Sequence, residues 1–233
     1  MKLAIFDIDG TLVDSVDLHA RAWLKALAHF GINARYDRVR SQIGKGGDDL
    51  IKEFLTEREV EKIGEALKEY RAGLYKSHYL KQVTPFSHVP ALFDKVKEQG
   101  TRIAVGSSAK KDEVEHYLKL LRVTRLVDLR TSADDVDKAK PHPDIFSVIL
   151  EKASCAPADA IVIGDSPFDA IAAKKIGVSS VALLCGGFEE KKLIESGFIA
   201  LYKNPGDLLK QFGQSPLAAP ALPNIKTETL SLS

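Results

Sequence analysis

The sequence predicts an α/β fold: a parallel, Rossmann-like sheet with helices on both faces and an inserted α-helical cap. Three observations carry that expectation. From residue 86 onward, short buried apolar runs alternate with amphipathic helical segments, as right-handed βαβ units require. Residues 15–85 hold only helix-period segments, with no buried strand among them. The 233 residues are long for one compact domain and short for two full ones, which suits a single domain carrying an insert.

Residues 2–9, Lys-Leu-Ala-Ile-Phe-Asp-Ile-Asp, read as a buried strand that stops at Gly10-Thr11. In the insert, one helix begins near Val16 and carries Trp23, Leu24, Leu27 and Phe30 before Gly31. A longer one places Val60, Ile63, Leu67, Tyr70 and Leu74 at alternating 3/4 spacing, a packing stripe. Val89, Leu92, Phe93 and Val96 mark a helix opened by Pro90 and stopped by Gly100, which leads into a second strand at 101–106. Val114, Tyr117, Leu118 and Leu121 repeat at helical spacing. A short strand near 126–131 precedes a helix opened by Pro143, with Ile145, Phe146, Ile149 and Leu150 on one face. Residues 160–163 form a third buried strand, and 167–176 a helix ended by Gly177. Strands at 181–184 and 198–202 complete the core. From Pro205 on, four prolines in 29 residues leave one short helix, 208–212, and a tail with little capacity to bury a core. The expected division is a core of 1–14 and 86–204, a cap of 15–85, and a Pro-rich C-terminal segment of 205–233.

Lys and Arg number 33 against 32 Asp and Glu, a balance that excludes a protein working along a nucleic-acid backbone. Cys155 and Cys185 are too few to staple the fold and have no metal-type spacing, so they are expected as reduced, mostly buried thiols of a cytoplasmic protein. No signal-peptide pattern is visible, and no stretch approaches the ~20 apolar residues of a membrane helix.

In parallel sheets, ligands bind at the carboxyl ends of the strands. The first strand ends in Asp7-Ile8-Asp9-Gly10-Thr11, with two carboxylates two residues apart and so on one side of a strand. The second ends in Gly106-Ser107-Ser108, and Lys140 is held at the same rim by the proline-bounded Lys140-Pro141-His142-Pro143. The third ends in Gly164-Asp165-Ser166-Pro167-Phe168-Asp169. Singly these read as a turn, a helix cap, a solvated loop and a second cap. Together, four converging carboxylates make sense only around a cation and a lysine. Oxygen donors without His or Cys favour Mg²⁺ over zinc.

These four motifs, in this order, resemble the haloacid dehalogenase superfamily, over residues 1 to about 204, and within it the phosphoglycolate phosphatase and β-phosphoglucomutase group. The founding dehalogenases lack the second acid of the first motif, which stands here as Asp9, so dehalogenation is not expected. The resemblance implies hydrolysis of a small phosphorylated metabolite, a sugar phosphate or one like phosphoglycolate, through an aspartyl phosphate. Asp7 would be the nucleophile and Asp9 the acid and base. Ser107 would donate to the phosphoryl group, and Lys140 would balance its charge. The metal ligands would be Asp7, Asp9 through its carbonyl, Asp165 and Asp169, the last as ligand or orienting group. A sugar phosphomutase and a non-enzymatic phosphoryl receiver are the alternatives.

The cap is expected to choose the substrate. Its loop Ile43-Gly-Lys45-Gly46-Gly-Asp-Asp49 is no P-loop, since no Ser or Thr follows the lysine. Lys45, with Gly46 beside it and Arg40 behind, would cover the non-reacting end of the substrate, and Ser108 would meet it from the core. His19, ten residues after Asp9, matches a histidine that touches the acid/base in the β-phosphoglucomutase group. The arginine that group uses in its cap loop has no counterpart, which favours hydrolysis. His142 is expected to face solvent or cap a helix. Residues 15–85 hold 13 Lys and Arg against 10 Asp and Glu, a mildly basic lid over an acidic floor. No nucleic acid or membrane partner is expected, and the chain should be a monomer or weak homodimer.

Overall fold

The structure, a computed structural model, describes residues 1–218. The chain begins with β1 (Leu3–Phe6) and the two-residue β2 (Val13–Asp14). Four helices follow: α1 (Val16–His29), α2 (Tyr36–Arg40), α3 (Gly47–Ile51) and α4 (Glu57–Leu74). The chain returns through β3 (Thr84–Pro85), α5 (Val89–Glu98), β4 (Arg102–Gly106), α6 (Lys111–Leu120), β5 (Leu129–Thr131) and α7 (Asp144–Ala153). It ends with β6 (Ala160–Gly164), α8 (Pro167–Lys175), β7 (Ser179–Leu183), α9 (Glu190–Ser196), β8 (Ala200–Tyr202) and α10 (Pro205–Lys210).

Six of these strands form one parallel sheet in the order β5-β4-β1-β6-β7-β8. All four residues of β1 are fully buried, because side chains alternating to opposite faces are covered on both. Ala4 and Phe6 join a cluster with Leu92, Phe93 and Val96 of α5, the Phe6 and Phe93 rings lying 4.7 Å apart. Leu3 and Ile5 join Ile145, Phe146 and Ile149 of α7 on the other face. Strand order reverses about β1, so the carboxyl ends of β1, β4 and β6 meet at one crevice.

The insert leaves and returns through β2 and β3, which pair antiparallel, Asp14 opposite Thr84. Its helices bury an apolar cluster of their own, with Val16, Trp23, Leu27, Val39, Leu50 and Leu67 at its centre. Thr56 opens α4 with a capping box: its side chain accepts from the Glu59 N–H, and Glu59 accepts from the Thr56 N–H at 2.8 Å.

Four sequence expectations need correction. The face of α4 that is buried runs through Gly64 and Leu67 toward Tyr75, not through Tyr70, which is 40% exposed and stacks on His29 at 4.0 Å. Val60, Ile63, Leu67 and Leu74 of the expected stripe do pack inward, and Gly64 widens the buried face by letting Ile51 approach the backbone. The strand expected from 126 starts at Leu129, since the Asp128 carboxylate takes the Ile103 N–H at 2.7 Å at the sheet edge. Cys155 and Cys185 are free, as expected, but only half-buried.

The fourth correction concerns the C-terminal segment. Leu208, Phe212 and Leu217 are buried in the main cluster against the α5 side of the sheet, so residues 205–218 belong to the core. The remainder of the Pro-rich tail, 219–233, lies outside the described residues. Leu217→Ala should therefore destabilise the fold by about 2–5 kcal/mol in urea unfolding, the range for truncating a buried leucine. A change below about 0.5 kcal/mol would mean that Leu217 is not packed.

Candidate active site

Asp7 and Asp165 each stand one residue past a strand, and the Asp7 N–H extends the ladder by donating to Ile163 at 2.8 Å. Lys140 crosses beneath the carboxyl ends of the strands, only 1% exposed. Its ammonium donates to Asp7 Oδ1 and, at 2.8 Å, to Asp169 Oδ1. The other Asp169 oxygen accepts the Ser166 hydroxyl at 2.7 Å and the Ser166 N–H at 3.1 Å, a capping box at the start of α8. One side chain thus caps a helix and holds the lysine. Thr11 donates to Asp165 at 3.0 Å and lies 3.4 Å from Asp7.

Asp7, Asp165 and Asp169 each place an oxygen within 4.8 Å of the others, all three buried. One lysine cannot balance them. Burial pushes Asp7 up to about 7, opposed by the Lys140 charge and reinforced by Asp169. Asp165 is pushed well up, by burial first and then by Asp7 and Asp169. Burial works against the Lys140 ammonium, but Asp169 and Asp7 more than offset it and hold the proton beyond its ordinary range. A surplus of buried oxygen charge is what a hard divalent cation neutralises. The nearby Cys185 thiol faces the Gly10 carbonyl at 3.3 Å and is pushed up to about 12 by burial and Asp165, so it remains a thiol. The donor set fits Mg²⁺.

Two glycines make room for Asp165. A Cβ on Gly10, whose φ is +83°, would lie 2.3 Å from Asp165 Oδ2, and one on Gly186 would lie 1.8 Å from it. Gly186→Ala should therefore displace the Asp165 carboxylate and weaken Mg²⁺ binding about 10–100-fold by isothermal titration, the range for disturbing a ligand's support. Unaltered affinity would show that Asp165 is not a ligand.

Asp9 occupies a second polar shell. Its Oδ1 accepts Ser15 at 2.6 Å and meets His19 Nε2 at 2.8 Å, while Oδ2 lies 3.5 Å from the Ser107 hydroxyl. Burial pulls the Asp9 carboxyl up, but His19 and Ser15 outweigh it and hold it low. His19 stacks on Tyr75 at 3.9 Å, where α4 gives way to a π-helical turn over Tyr75–Tyr79. Its Nδ1 meets the Arg71 guanidinium, which is itself sandwiched between Trp23 and Tyr75 at 5.1 and 5.0 Å.

Above the floor opens a cleft of about 330 Å³, whose lining includes Asp7, Asp9, Lys140 and Ser108 from the core and His19, Trp23, Lys45 and Arg71 from the insert. Ser107 sits just below it, accepting the Ala109 N–H at 3.0 Å. Ser108 reaches the insert, its hydroxyl 3.4 Å from the Gly44 carbonyl. Lys45 lines the cleft with its ammonium tied to Glu53 at 2.6 Å. Gly46 does not line the cleft: its N–H donates to the Lys140 carbonyl at 2.8 Å and its Cα abuts Ala139, which only a glycine allows. Arg40 lies elsewhere too, bound to Asp17 at 2.6 Å and to the Gly186 and Gly187 carbonyls. His142 is partly exposed and pairs with Asp49 of the insert at 3.2 Å. Ser15, Arg71 and Glu113 escaped the sequence reading, and Thr11 stood in its first motif without a role. A four-residue step from Leu67 marks Arg71.

A family profile described as "Haloacid dehalogenase-like hydrolase" matches residues 4–183, which contain every carboxylate and the lysine of this floor. The chain belongs to the haloacid dehalogenase-like hydrolases. It is 27% identical over 215 residues to a phosphoglycolate phosphatase of Aquifex aeolicus (strain VF5), covering 90% of this chain and 96% of that protein. It is 30% identical over 181 residues to the pyrophosphatase PpaX of Bacillus velezensis, covering 77% of this chain and 81% of that protein. A solved hydrolase from Pseudomonas syringae superposes with a TM-score of 0.83 at 28% identity, covering 92% of this chain and 99% of that one. As an enzyme of this family, the chain is no receiver module.

Proposed function

We propose that this hydrolase is a Mg²⁺-dependent phosphatase that releases phosphate from a small phosphorylated metabolite through an aspartyl-phosphate intermediate. The observation that carries the reading is the buried triad Asp7, Asp165 and Asp169 beside Lys140, beneath a ligand-sized cleft that Asp7 and Lys140 line. Residues 15–85 act as the cap, closing over the substrate. The protein works in the cytoplasm as a monomer or weak homodimer, without nucleic acid or membrane. No helix among the described residues is long and apolar enough to cross a membrane.

Asp7 and Asp165, with Asp169 and the Asp9 carbonyl, would hold Mg²⁺, which when bound neutralises phosphoryl charge as the nucleophile approaches. Without charge compensation, a carboxylate meets a phosphate with repulsion of about 4 kcal/mol per pair of unit charges at ~4 Å and an effective dielectric of 20. Lys140 fixes one Asp7 oxygen by its hydrogen bond, and Thr11 lies near the other, so the attacking group is oriented before substrate arrives. Asp9 is held ionised in the resting site. An arriving phosphate dianion raises its proton affinity by like-charge repulsion, so that Asp9 takes up a proton from solvent and passes it to the leaving oxygen. Once the alcohol has left, Asp9 takes a proton from the water that opens the acyl phosphate. His19 and Ser15 hold its Oδ1 through both steps.

The test is phosphate release from a panel of phosphorylated metabolites by purified protein with Mg²⁺. Release without an activating bisphosphate is expected. Isomerisation without release, followed by ³¹P NMR, would make the chain a phosphomutase. An inert protein, on p-nitrophenyl phosphate as well, would overturn the phosphatase reading.

A further inference from the structure

We propose that Glu113 selects the leaving group, and that the substrate is the phosphate monoester of a neutral, polyhydroxylated alcohol such as a sugar or polyol. The inference rests on the phosphatase reading and narrows it. Glu113 lies in the first turn of α6, only 2% exposed, and lines the cleft. Its Oε2 is buried with no hydrogen-bond partner among the described residues. Arg71 enters the same cleft from α4 on the insert side, and its Nε is likewise buried and without a partner among the described residues. Arg71 lies over the Tyr75 ring at 5.0 Å, and the Tyr75 hydroxyl meets that of Tyr117, one helical turn beyond Glu113 on α6, at 2.6 Å.

An unmade hydrogen bond in the interior costs about 1–3 kcal/mol, more for a charged group, and buried polar atoms are rarely left so. A donor and an acceptor vacant in one ligand-sized space are satisfied together by hydroxyls, which both donate and accept. A carboxylate or second phosphoryl group could receive Arg71 but offers Glu113 only repulsion. The insert's other cations that line the cleft are paired within the insert, Lys45 with Glu53 and Lys68 with Asp48 and Glu65. The volume of about 330 Å³ suits a small ester.

The experiment compares kcat/KM for glucose 6-phosphate, glycerol 3-phosphate, phosphoglycolate and pyrophosphate, in the wild type and in Glu113→Gln. The wild type should favour the two hydroxylated esters. The amide, uncharged and itself a donor, should lower the ratio of hydroxylated ester to phosphoglycolate by at least about tenfold, the equivalent of one hydrogen bond to a charged group. A purely structural role for Glu113 would scale all four substrates together and leave that ratio unchanged, which overturns the proposal. So would a wild type that prefers phosphoglycolate or pyrophosphate. Should Glu113→Gln unfold, Glu113→Asp tests the same ratio with the charge withdrawn by one methylene. A wild type inert even on p-nitrophenyl phosphate with Mg²⁺ fails at the phosphatase reading itself and removes this inference with it.

Discussion

The Asp7→Asn variant is expected to lose at least about 10⁴-fold in kcat on p-nitrophenyl phosphate with Mg²⁺, the scale on which removal of a nucleophile acts. The amide has almost the shape of the carboxylate, and its oxygen can still accept the Lys140 hydrogen bond. What disappears is the anionic oxygen that must form the bond to phosphorus. The same change removes one of three mutually repelling buried acids, so the metal-free variant should melt no lower than the wild type. Together the two results separate a chemical defect from a folding defect. Wild-type protein denatured during turnover should carry phosphate that hydroxylamine releases, and Asp7→Asn should carry none. Unaltered turnover in the variant would sink Asp7 as the nucleophile.

How far such a site can be read in advance depends on where the partners of each residue lie. The β1, β4 and β6 runs are apolar enough to require burial on both faces, so their parallel arrangement, and with it the rim, follow from pattern alone. Lys140 was visible because two prolines follow it closely, and Asp165 and Asp169 because they end a strand and open a helix. Residues whose role depends on distant contacts left no such mark. Thr11 matters through Asp165, 154 residues away, and Arg71 through His19, 52 residues away. Arg71 was also hidden because it lies beside the apolar stripe of α4 and not on it. The cap was only partly legible, for a different reason. Net charge counts lysines and arginines but not their partners, and Lys45 and Arg40 find theirs at Glu53 and Asp17. Leu217 was misread because proline content argues against regular structure, not against a single leucine reaching the core.

Lys140→Met should be the most destabilising single change in the floor. Breaking a buried ion pair by removing one partner costs about 3–5 kcal/mol, because the charges left behind have neither water nor counter-ion. For a chain of this size that corresponds to a fall in Tm of roughly 6–20 °C in the metal-free protein. The deficit should depend on pH. The Asp7 carboxyl, raised from about 3.9 in an unfolded chain to about 7 here, supports the fold most below pH 4 and withdraws that support as pH rises through 7. Lys140 is what keeps the Asp7 value from rising further. In the variant an ionised Asp7 is therefore costlier, while a protonated Asp7 is little affected, so the gap in Tm from wild type should be wider at pH 8 than at pH 6. Activity should follow the same logic. Loss of a preorganised positive group costs about 10²–10³ in kcat, and the acid limb of the pH profile should move upward, because Asp7 must be ionised to attack. Melting curves at the two pH values and a kcat profile check both effects. A deficit equal at pH 6 and pH 8, with an unshifted limb, would mean that Lys140 is packed beside Asp7 without controlling its charge.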